Sequence, residues 1–162
     1  MLSALPSIVV LGLAALVALF LARSRLSPTA YARERVHASR ALTVAVVFQG
    51  LHFLEEAATG FHSRFPALFD LGEIPRVVFI AFNVIWLGVW IASVVGVRSG
   101  LQPAFFAAWF LAIAAMFNGI AHPLLAVASG GYFPGLISAP IIGISGVWLW
   151  RRLRAATRAP AP

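Results

Sequence analysis

Five apolar runs separated by short polar breaks set the rhythm of this chain. The first covers residues 5–22, about the length a helix needs to cross a bilayer. Arg23 and Arg25 follow that run instead of preceding it, which predicts a retained span and not a cleaved signal. Ser27-Pro28 is a helix-start pair, and residues 27–40 carry Arg33, Glu34, Arg35 and Arg40 on helix-compatible positions. This stretch is expected either to lie at the membrane surface or to extend the second run. That run, 41–59, stops at Gly60, a natural helix C-cap. Residues 61–75 mix charges with phenylalanines and read as an interfacial loop.

A third run follows Pro75 at 76–97 and a fourth occupies 103–128. The turn Ser129-Gly-Gly-Tyr-Phe-Pro-Gly135 leads to the fifth, at 136–150. Residues 151–162 are basic and then rich in Ala and Pro, the composition of a disordered tail. The expected fold is therefore all-α: one polytopic membrane bundle of five transmembrane helices over 1–150, followed by that tail.

Composition narrows the chemistry. Of the 162 residues, 61% are hydrophobic and 10% charged, outside the range of soluble domains. With no cysteine, disulfides, thiolate metal sites and cysteine nucleophiles are excluded, and any metal must take nitrogen and oxygen ligands. The net charge of +7 comes from arginines set apart from the aromatic residues, so it signals topology and not nucleic-acid binding.

Ten of the twelve arginines fall on one side of the expected bundle. They follow the first, third and fifth runs, against Arg64 and Arg76 on the other side. The positive-inside rule makes the arginine-rich side cytoplasmic, so the N-terminus is out and the C-terminus in. The second and fourth runs then both travel outward. Their polar residues, His52, Glu55 and Glu56 in one and Asn118 and His122 in the other, are brought to a common depth in the outer half of the bilayer. Tyr132 in the following loop lies above them, and Asn83 approaches the same layer.

Helical geometry gathers these groups further. Glu55 and Glu56, three and four residues past His52, flank its direction, and Gln49 extends the same stripe. Asn118 and His122 are also four apart and face one way. Each carboxylate at mid-membrane costs roughly 2.5–3.5 kcal/mol, and two adjacent ones aggravate each other. A cation is the natural compensation. The alternatives are an ion pair with Arg64 or Arg76, or partial protonation. Pro123 cannot donate to the Gly119 carbonyl and predicts a bend beside the cluster.

Three motifs here resemble those of the HXXEE family, a group of small integral membrane proteins of unknown function. His52-Phe-Leu-Glu55-Glu56 matches its eponymous motif, Asn118-Gly-Ile-Ala-His122 an Asn-x-x-x-His motif and Tyr132-Phe-Pro134-Gly135 a Tyr-x-Pro-Gly motif. They occur in family order across residues 52–135. The resemblance implies a membrane protein and no particular activity.

The residues themselves point to a metal-dependent membrane enzyme, a hydrolase or an oxidoreductase. His52, Glu55, Glu56, Asn118 and His122 are the candidate ligands of a divalent ion. Glu55, Glu56 and Tyr132 are the candidates for acid–base work. Two histidines with a carboxylate suit either zinc or non-haem Fe(II). The expected partners are the lipid bilayer, a lipid-soluble substrate and a second copy of the chain. The expected location is a bacterial plasma (inner) membrane with the site in its extracytoplasmic half. An ion- or proton-coupled transporter and a structural or accessory subunit are the alternative readings.

Overall fold

The apolar runs become helices that continue past their apolar limits wherever a neighbour buries the extra turns. In the computed structural model, which describes residues 4–25 and 32–157, the helices are α1 (Leu5–Arg25), α2 (Ala32–Thr59), α3 (Phe61–Ala67), α4 (Arg76–Ser99), α5 (Gln102–Ala128) and α6 (Ala139–Ala156). Four of them, α1, α2, α4 and α5, are long and apolar enough to cross a membrane. α6 has only 18 residues and carries Arg151, Arg152 and Arg154 at its end.

α2 begins well before its apolar run. Ser27 and Pro28 lie outside the described residues, but from Ala32 the polar stretch is one helix with the second run. Ala38 and Ser39 are buried, and the Ser39 hydroxyl donates to the Val94 carbonyl at 2.9 Å, tying this extension to α4.

Gly60, in the left-handed region at φ 82°, turns the chain between α2 and α3. The loop expected over 61–75 is in its first half this short helix. Pro66 lies inside it and cannot donate to the His62 carbonyl one turn back. That carbonyl accepts instead from Ile74 N–H at 2.9 Å, which folds the rest of the loop back onto α3.

The fifth apolar run also shifts. Its helix starts at Ala139, not 136, and continues through the basic residues assigned to the tail as far as Ala156. Leu153 and Ala156 are fully buried, and burying them holds the extra turns. Residues 158–162 lie outside the description.

α2 packs on α4 and α6, and α5 packs on the same two, so the four close a ring in the order α2–α4–α5–α6. α1 lies against α5. Leu42, Phe105, Trp109, Leu111 and Leu149, all fully buried, belong to one core cluster that also takes in Ala18 and Leu21 of α1. Trp90 Nε1–H finds a partner in the Ala107 carbonyl at 3.0 Å. The outer surface is apolar too, with Leu16, Phe20, Val77, Ile85, Ile120 and Ile144 exposed.

The α5–α6 crossing fixes the site's geometry. A Cβ on Gly119 would lie 2.7 Å from the Gly143 Cα, and one on Gly146 2.8 Å from the Ala115 Cβ. The backbones meet directly, as small residues permit between membrane helices. This antiparallel contact brings the start of α6 beside the last third of α5. The arginines that begin α2 and end α1, α4 and α6 gather at the opposite end, where the Arg35 guanidinium lies against Gly100.

Candidate metal centre

α2 supplies two of the three central groups. His52 and Glu56 are one helical turn apart, and Glu56 Oε1 lies 3.5 Å from His52 Nε2. The same oxygen lies 3.4 Å from Nε2 of His122 on α5. His52, Glu56 and His122 are 0, 7 and 2% exposed. One ligand atom from each of the three lies within 4.8 Å of the others. The imidazoles stand edge to face, with ring centroids 4.7 Å apart at 87°.

The proton positions on both rings follow from their partners. His122 Nδ1 lies 2.6 Å from the Pro134 carbonyl, which can only accept, so Nδ1 carries the hydrogen and, in the neutral ring, Nε2 presents a lone pair. His52 Nδ1 lies 2.8 Å from Ser138 Oγ. That hydroxyl donates to Glu55 Oε2 at 2.5 Å, so its oxygen is left to accept from His52. His52 Nε2 is therefore a lone pair as well, and Asn118 Nδ2 approaches it as a donor at 3.3 Å.

Glu55 faces away from this group. Its Oε1 accepts from Tyr132 OH at 2.7 Å and Ile137 N–H at 3.0 Å, and its Oε2 from Ser138 N–H at 2.8 Å as well as from the hydroxyl. Ile137 and Ser138 immediately precede α6, so the carboxylate sits at the positive end of that helix. This placement compensates the charge of Glu55 with no cation. Burial, and then donation to Glu55, push the Tyr132 phenol above its ordinary value.

Glu56 has no such donors. Two imidazole lone pairs and a carboxylate oxygen converge in a buried space, where Asn118 Nδ2 reaches the His52 lone pair at 3.3 Å, and the remaining acceptors repel unless a proton or a metal ion lies between them. No arginine pairs with either glutamate among the described residues. Arg64 Nη2 donates to the Tyr132 carbonyl at 2.9 Å, with its guanidinium 5.9 Å from the Phe133 ring centroid. Two of the three edges suit an ion: at metal–ligand distances of about 2.0–2.1 Å, tetrahedral ligands stand about 3.3–3.4 Å apart. The two nitrogen–oxygen distances, 3.5 and 3.4 Å, match that edge.

The segment between α5 and α6 closes over the rings. Gly135 has φ 87°, and a Cβ there would lie 2.5 Å from His122 Cε1 and 2.8 Å from His52 Cε1. No other residue satisfies both conditions. Phe61, stacked on Phe65, has its ring centroid 5.6 Å from that of His122, and Phe133 lies 6.2 Å away, so the walls are aromatic.

Of the residues singled out in the sequence, His52, Glu56 and His122 come together as one group. Asn118 touches the group through its amide nitrogen, as a donor to His52 and not as a ligand. Glu55 and Tyr132 pair with each other beside the group. Asn83 stays on its own helix, donating to the Phe79 carbonyl at 3.0 Å. Ser138 and the Pro134 carbonyl escaped the sequence reading. A serine with Pro140 two residues on is a helix-start signal that marks Ser138 as a boundary residue, while a backbone carbonyl leaves no trace in a sequence. No family model matches the chain, and no curated protein or solved structure matches it significantly.

Proposed function

We propose that this chain is an integral membrane metalloprotein of five spans, N-out and C-in. It holds a divalent ion on His52, Glu56 and His122 in the outer half of the bilayer and acts there on a lipid-soluble substrate. The observation that carries the reading is the convergence of two Nε2 lone pairs on Glu56 Oε1, at 3.5 and 3.4 Å, with no arginine to balance them among the described residues. Two histidines and one carboxylate leave coordination positions open, the ligand set of catalytic zinc or of non-haem Fe(II). Bound there, the ion would supply Lewis acidity and a water of lowered pKa. The protein's own part is to fix the two imidazole tautomers through Pro134 and Ser138, and to exclude bulk water with Phe61, Phe133 and the Gly135 backbone.

The arginine-poor end carries the site, which supports the outward assignment. The HXXEE resemblance is compatible with it, and a bacterial inner membrane is the proposed location. The transport reading has less support: the buried hydroxyls of Ser39, Ser93 and Ser145 are each taken by a backbone carbonyl, and Leu42, Phe105, Trp109, Leu111 and Leu149 are fully buried.

Elemental analysis of protein purified in detergent without added metal tests the reading. One equivalent of zinc or iron per chain is expected, falling below a tenth in the double variant His52→Ala, His122→Ala. A metal-free wild type that also takes up no zinc, iron, cobalt or manganese on reconstitution would refute it.

A further inference from the structure

Both imidazoles take their orientation from one short piece of chain. His122 is held by the Pro134 carbonyl and His52 by the Ser138 hydroxyl, and the two holders are four residues apart in the same turn. That turn is in its own right pinned to α2, because Glu55 takes the Tyr132 hydroxyl, the Ile137 and Ser138 amides and the Ser138 hydroxyl. α2 therefore contacts its own histidine by way of the residue that precedes α6: Glu55 hydrogen-bonds Ser138, and Ser138 hydrogen-bonds His52, three residues before Glu55.

We propose that Ser138 and Glu55 are positioning residues for an ion that neither touches, and that ion binding and seating of the 132–138 segment are thermodynamically linked. The proposal rests on the metal reading above.

The direction of each hydrogen bond supplies the argument. Glu55 is acceptor-only when ionised, so Ser138 must donate to it. Ser138 then has only lone pairs to offer His52, which forces the hydrogen onto Nδ1 and leaves at Nε2 the lone pair that Asn118 Nδ2 approaches and that the ion would take from it. Carboxylates and carbonyls on the far nitrogen of a metal-bound histidine act in this way, and their loss typically weakens binding ~10–100-fold. Here the carboxylate acts through a serine. An ion at Nε2 polarises the Nδ1–H of both rings, which strengthens their bonds to Ser138 and Pro134 and so steadies the segment. By reciprocity, whatever unseats the segment weakens the ion by the same factor.

A helix cap alone would account for the backbone part of the Glu55 contacts, and Ser138→Ala separates the two roles. It keeps the Ile137 and Ser138 amides on Glu55 and deletes only the hydroxyl. Zinc affinity by chelator competition is expected to fall ~10–100-fold in Ser138→Ala and in Glu55→Gln, and to recover in Ser138→Thr. Zinc should slow amide hydrogen exchange across residues 132–138 in the wild type, and less so in Ser138→Ala. Should both variants misfold, ¹⁵N-histidine spectra of the wild type read the tautomers directly, with Nδ1–H expected at His52 and His122. Wild-type zinc affinity in Ser138→Ala, or an Nε2–H tautomer at His52, would overturn the relay and leave the metal reading standing. A wild type that binds no metal would overturn both.

Discussion

His52 and His122, 70 positions apart in sequence and on different helices, aim their Nε2 atoms at one oxygen of Glu56, at 3.5 and 3.4 Å. The rings are held from behind, so neither can turn to offer a hydrogen. An amide at position 56 would bring a second donor beside that of Asn118, which reaches His52 alone. Glu56→Gln is therefore expected to lose the metal and yet to be at least as heat-stable as metal-free wild type, because its NH₂ group can donate to a lone pair that otherwise faces another acceptor. Elemental analysis and thermal unfolding of the chelated proteins check this; a metal-free variant melting well below metal-free wild type would contradict it.

Gly135→Ala tests the cover over the site. The new methyl would meet carbons of both imidazoles at 2.5 and 2.8 Å, and φ of 87° is strained for alanine. Steric overpacking and backbone strain each cost about 1–3 kcal/mol. Reduced melting temperature is expected together with metal loss, and limited proteolysis should cut first between residues 130 and 138.

Gly119→Val probes the scaffold with the site residues untouched. Its Cβ would sit 2.7 Å from the Gly143 Cα, in a contact between two backbones where no side chain can yield. The variant is expected to lose at least about 1–3 kcal/mol of stability and, because the start of α6 moves off α5, to bind zinc more weakly. A Gly119→Val protein with wild-type melting and metal content would rule out this packing.

Tyr132 sets the alkaline limit of the cover. Its phenol titrates above the ordinary value, near ~10, through burial and donation to Glu55. A phenol whose folded value is raised is preferred neutral by the folded state. Its stabilising contribution is complete below the unfolded value and is lost as pH rises through the folded one. Wild-type melting temperature is thus expected to fall more steeply than that of Tyr132→Phe above pH ~10, the two curves converging there. Parallel curves from pH 8 to 11 would show that the hydroxyl contributes nothing.

How far the sequence could be read depended on which forces were local. The long helices announce themselves as continuous apolar runs, and Gly60 and Gly135 mark turns that take a left-handed residue. The pairing of His52 with His122 was reachable from arginine placement and helical spacing. The division of labour between Glu55 and Glu56 was not. They flank His52 almost symmetrically, and only the position of the α6 start, set by Gly119 against Gly143, decides which carboxylate finds backbone amides and which finds imidazoles. The α3 helix and the last turn of α6 were hidden for a related reason. Each depends on a distant partner, Ile74 N–H for the His62 carbonyl and core burial for Leu153.

The Glu55–Ser138 contact joins the second long helix to the start of the last one across 83 residues of chain. During synthesis, His52, Glu56 and His122 are all made before Tyr132 emerges. A chain that stops before Tyr132 thus has all three groups, with neither Nδ1 bonded to its holder and Glu55 without its donors. The arrangement of the two rings is therefore completed only when residues 132–138 have been made and have docked on α2.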